Sequence, residues 1–103
     1  MDENNILAQF CLLTGLTQEQ AQDYSGLLSS ARRQVEKQLN PQAETEYVQE
    51  TLEQLAAAIA WQGYLNLQEW QENGSQQAAG QLIASLRQSL ADVLETGFAF
   101  RLA

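Results

Sequence analysis

Histidine is absent from this chain, and cysteine and proline each occur once. Basic residues number five. Each shortage removes a class of function. Without His, nucleophile systems of the Cys–His and Ser–His–Asp kinds have no imidazole to carry the proton. With Cys11 as the lone thiol, a zinc site of the Cys/His kind cannot be assembled, and no internal disulfide can close. The missing disulfide fits a reducing compartment. Five basic residues against 13 acidic ones leave a net charge of −8, so nucleic-acid binding by general phosphate attraction is not expected. Long apolar runs are missing too. The stretch from Ile6 to Leu16 is broken by Gln9, Thr14 and Gly15, and nothing approaches the roughly 18 apolar residues of a bilayer span. The opening Met1-Asp2-Glu3 is acidic where a secretory signal is positive. The chain is expected to be soluble, cytoplasmic when synthesised, not secreted and without a membrane partner.

What is present points to helix. Gln, Leu and Ala dominate the 103 residues, while the β-branched Val, Ile and Thr are sparse. Straight and small side chains lose little rotamer freedom in a helix, and the length suits one domain. Ile6, Leu7, Phe10 and Leu13 recur at helical spacing, with Gly15 placed to end the segment, which predicts a helix over 3–14. Thr17 followed by Gln20 is a capping-box pattern, with Leu16 as staple. The stripe Ala21, Tyr24, Leu28, Ala31, Val35 and Leu39 then predicts a helix over 18–39, closed by Asn40-Pro41. Within it, Gly26 is read as a point where a neighbouring helix comes close.

A third helix is predicted over 43–72, with Val48, Leu52, Leu55, Ile59 and Gly63 on one face and the small-residue run Ala56–Ala60 beside them. Trp61 and Tyr64 are read as core, and Asn73-Gly74 as the turn that ends the helix. With Ser75 as N-cap, Leu82, Ile83, Leu86, Leu90, Val93 and Leu94 predict a fourth helix over 76–96, stopped by Gly97. The expected fold is all-α: a single-domain compact bundle of about four helices, mostly antiparallel, with a short extended C-terminal tail.

Few residues carry chemistry. Glu46, Glu50 and Glu53 fall at i, i+4 and i+7, on one side of a helix. This reads first as a solvated face, and otherwise as an acidic surface that repels DNA or meets a basic partner. No compact loop of acidic metal ligands exists, and paired carboxylates for acid–base work would need burial, so no catalytic, metal or cofactor site is assigned. Arg32, Arg33 and Lys37 form a short basic stretch suited to pairing with the acidic surplus within or between subunits. Trp70, flanked by Glu69 and Gln71, reads as exposed or at an interface. Cys11 reads as a small buried hydrophobe. Phe98, Phe100 and Leu102 alternate around Arg101, and this tail either folds back on its own bundle or adds to a neighbouring subunit.

Four segments carry a resemblance. The opening ILAQFCLLTGLTQEQA and the closing VLETGFAFRLA look like small connector-like proteins of prophages. Leu27–Pro41 (LLSSARRQVEKQLNP) and Leu52–Gln68 (LEQLAAAIAWQGYLNLQ) resemble the two central helices of phage head–tail connector proteins. The matching positions are Leu27, Leu28, Ala31, Val35, Glu36 and Leu39, then Ala56, Ala57, Ala58 and Tyr64. The family often has a longer segment between its third and fourth helices than the Glu72–Ser75 stretch found here. The resemblance implies a non-enzymatic structural adaptor of a tailed phage or prophage, located in the virion neck. Its partners would be further copies of itself in a ring, formed either alone or only on the portal, together with the portal and neck or tail proteins. The interface would draw on Arg32, Arg33, Lys37, Glu46, Glu50, Glu53, Trp70, Phe98, Phe100 and Arg101. The same charge also suits an acidic helical regulator or DNA mimic that binds a basic protein.

Overall fold

In the computed structural model, which describes residues 1–68 and 73–94, the helices form where apolar periodicity and end signals coincide. Helix α1 spans Glu3–Thr14: the Asp2 side chain accepts from the Asn4 N–H at its start, and Gly15, at φ +79°, ends it in the left-handed region. The capping box is present, with Thr17 Oγ1 accepting from Gln20 N–H at 3.2 Å and Gln20 Oε1 accepting from Thr17 N–H at 3.0 Å. It opens the single turn α2, Gln18–Ala21.

The helix expected over 18–39 is interrupted. A 3₁₀ turn at Gln22–Tyr24 separates α2 from α3, Ser25–Gln38. The run Asp23-Tyr24-Ser25-Gly26 is poor in helix formers, and Asp and Ser compete for backbone hydrogen bonds. The third helix starts later than expected and stops earlier. After a turn in which Asn40 Oδ1 accepts from Gln42 N–H at 3.0 Å, a 3₁₀ turn at Glu46–Val48 leads into α4, Gln49–Leu67. Gln68 is already extended, at ψ 139°, so the helix does not reach 72. Helix α5, Asn73–Ser89, takes Asn73, Gly74 and Ser75 into its first turn, so Asn73-Gly74 opens this helix instead of ending the previous one. It gives way to turns at Leu90–Val93, before Gly97. There the Asn40 N–H donates to Val93 O at 2.7 Å, and Leu39 and Leu94 form an isolated antiparallel bridge. The expected extended tail and its stop at Gly97 lie outside the described residues.

Among the described residues, four long helices therefore make an all-α bundle with α4 at its centre, in contact with α1, α3 and α5. Side-chain contacts set the directions. Glu53 holds Asp2 while Tyr64 meets Phe10, so α1 and α4 run parallel. Arg32 reaches Glu3 and Tyr24 meets Phe10, so α3 runs opposite to α1. Gln76 donates to Asn66 at 2.9 Å, bringing α5 back along α4. Two of these helices, α3 and α5, thus flank α4 in the antiparallel sense that short connections favour.

The core matches the periodic stripes. Ile6, Phe10, Ala21, Ala31, Val35, Leu52, Leu55, Ile83, Leu90, Val93 and Leu94 are buried. Ala56, Ala57, Ala58 and Ala60 are enclosed as well, so α4 is covered on more than one face. Phe10, Tyr24 and Tyr64 close one end as an aromatic triangle, with Tyr24 and Tyr64 edge-to-face at 4.9 Å. Such pairs add about 0.5–1.5 kcal/mol beyond area burial. The close helix approach lies at Gly63 instead of Gly26. A Cβ on Gly63 would sit 3.1 Å from Leu27 Cδ2, whereas one on Gly26 would meet nothing within 4 Å.

These contacts set expectations for unfolding in urea. Ala57→Leu should lower stability by about 1–3 kcal/mol, because Ala57 is fully enclosed and a larger side chain there must displace its neighbours. Gly15→Ala should cost about 1–2 kcal/mol through the left-handed backbone.

Candidate functional site

The acidic row predicted on one helix face is divided by the packing of α1. Glu46, in the 3₁₀ turn, and Glu50, in the first turn of α4, are exposed. Glu53 is 6% exposed, which corrects its expected place on a solvated face. Its Oε2 accepts from Asp2 N–H at 2.7 Å and its Oε1 accepts from Asn5 Nδ2 at 3.2 Å. Lying parallel to α4, α1 covers the third carboxylate and leaves the first two in water. Glu53 therefore anchors the start of α1 and is not part of an open acidic surface.

The basic stretch is divided in a similar way. Arg32 reaches across to α1, where its Nη1 donates to Glu3 Oε1. Its Nε lies 3.5 Å from Glu36 Oε2, close enough for charge attraction, yet it has no hydrogen-bond partner although the atom is buried. An exposed pair of this kind contributes at most about 1 kcal/mol. Arg33 and Lys37 are exposed and form no ion pair among the described residues. They continue the row of Ser25 and Ser29 along α3, since residues four apart share a helix face.

That row borders a cleft. Helices α1 and α3 each lean on α4 more closely than on one another, and a cavity of about 180 Å³ opens between them. Ile6, Leu7 and Leu28 supply its apolar lining, and Asn4, Gln22, Ser25 and Ser29 supply polar groups at its edge. The Arg32–Glu3 pair lies in the same wall. A second cleft, of about 240 Å³, is bounded by Asn5, Ala8, Gln9, Glu50 and Glu53.

Among the described residues, the large apolar side chains of Leu12, Tyr47 and Leu67 are exposed, and the sequence reading assigned none of them to the surface. Tyr47 is 69% exposed and stands among the exposed Glu44, Glu46 and Glu50. Its position off the Val48, Leu52, Leu55 stripe was the available signal. Cys11 is partly buried against the core instead of fully enclosed, and Tyr64 packs there as expected. Trp61 is half-buried. The predicted interface residues Trp70, Phe98, Phe100 and Arg101 lie outside the described residues. Among the described residues, no group of His, Cys, Asp and Glu side chains is placed to hold a metal ion, and no helix is long and apolar enough to cross a membrane.

No family model, curated protein or solved structure matches this chain.

The Glu53 anchor has a measurable consequence. Glu53→Ala should destabilise the fold by about 1–3 kcal/mol, because the Asp2 N–H and the Asn5 amide lose their acceptor. Amide exchange should speed most in the first turns of α1, with the middle of α4 unchanged.

Proposed function

We propose that this chain is a non-enzymatic structural adaptor of a tailed phage or prophage, joining the portal and head to the tail as a ring-forming connector in the virion neck. The resemblance of Leu27–Pro41 and Leu52–Gln68 to the connector helices motivates the reading. The observation that carries it is that Arg33 and Lys37 on α3, and Glu46 and Glu50 at the entry to α4, are exposed and form no ion pair among the described residues. A closed ring is built from a head-to-tail interface, in which one surface must complement a different one. Opposite charges on separate elements of the bundle supply that complementarity. A net charge of −8 would also let DNA pass a ring without adhering to it. The portal and the next neck protein are the remaining partners of this reading.

The acidic-regulator alternative draws on the same surplus of carboxylates, but it gives Arg33 and Lys37 no task. The two readings diverge in solution. Light scattering behind a sizing column, with negative-stain imaging, should show mass rising with concentration and ring-shaped particles. Arg33→Glu with Lys37→Glu should suppress that rise, and adding Glu46→Lys with Glu50→Lys should restore it. Failure of restoration would count against this pairing of surfaces. A strictly monomeric chain that binds a basic protein, in a salt-sensitive manner, would favour the regulator.

A further inference from the structure

We propose that the α1–α3 cleft receives the side chain of Tyr47 from a second copy of this chain, with Glu46 and Glu50 of that copy set against Arg33 and Lys37. This rests on the self-assembly reading above and names the contact that would carry it.

Size comes first. The cleft holds about 180 Å³. An apolar cavity of about 150 Å³ takes benzene, so one aromatic ring fits here. Ile6, Leu7 and Leu28 would cover the faces of the ring.

The polar edge matches the other end of the side chain. Asn4, Gln22, Ser25 and Ser29 make no side-chain hydrogen bond among the described residues, so each is available to a phenol hydroxyl. The Arg32 Nε, buried and without a hydrogen-bond partner, lies in the same wall.

Charge then selects the occupant. Arg33 and Lys37 follow Ser25 and Ser29 at four-residue steps along α3, and against the Glu3 and Glu36 carboxylates that Arg32 engages they leave this side with a net positive charge, so a guest flanked by carboxylates is favoured there. Tyr47 meets this description within the chain itself. It is 69% exposed and has Glu46 beside it and Glu50 three residues on. Burial of a tyrosine in a fitted pocket is the usual form of an interface anchor, and a large exposed aromatic without such a pocket leaves its apolar surface in water.

The test uses two variants at exposed positions, so that each retains the fold, with helical circular dichroism as the control. Tyr47→Ser removes the guest, and Ser29→Trp fills the mouth of the cleft. Light scattering over a concentration series should show each variant alone associating at least about tenfold more weakly than the unaltered chain. An equimolar mixture should recover a heterodimer, because the Ser29→Trp chain keeps its Tyr47 and the Tyr47→Ser chain keeps its cleft. If either variant alone associates like the unaltered chain, the docking is wrong while self-assembly stands. If the mixture does not recover, the two positions do not meet, and the docking is again overturned. If the unaltered chain remains monomeric throughout, both the docking and the self-assembly reading fall.

Discussion

The enclosure of α4 is the constraint on which the rest of the structure depends. Its Ala56, Ala57, Ala58 and Ala60 are fully covered, and α1, α3 and α5 all rest against it. Small side chains let neighbouring backbones come close, and Gly63 does the same towards Leu27. Helix α1 has only 12 residues, a length at which an isolated helix is marginal in water. It holds its shape because Ile6 and Phe10 are buried and Glu53 fixes its first turn. The bundle thus resembles a spindle of alanine wrapped by amphipathic helices, and less a set of equal partners.

That arrangement also explains the surface. Helices that lean on a common centre need not touch one another, and the α1–α3 cleft is the space they leave. The Arg32–Glu3 contact spans it from side chains alone. The described part of the molecule offers clefts and charged rows and no cluster suited to holding a metal. The proposed adaptor role rests on the exposed charged rows.

Much of the fold was legible in the residues. The stripes of Ile6 and Phe10, of Ala31 and Val35, of Leu52 and Leu55, and of Leu90, Val93 and Leu94 all became core. Gly15 and the Thr17–Gln20 box ended and began helices where they stood. Those signals are local, since capping and periodicity involve residues within a turn or two of each other. The helix ends at Leu67 and Ser89 were harder to read, because the apolar spacing continues beyond both. At Ser89 the chain leaves the helix for a contact distant in sequence, between Asn40 and Val93.

The candidate site was less legible, for the same physical reason. Spacing places Glu46, Glu50 and Glu53 on one side of a helix, but it does not say which helix lies over that side. Packing of α1 decided that Glu53 is an anchor and that Glu46 and Glu50 stay in water. It separated Arg32, held by Glu3, from Arg33 and Lys37. Packing of α3 on α4 placed the close approach at Gly63 and not Gly26. By itself the sequence determined the helical class, most of the core and the absence of histidine chemistry, because these follow from composition and short-range periodicity. The tertiary structure alone decided which charges remain free and where a cleft opens, because both depend on neighbours distant along the chain.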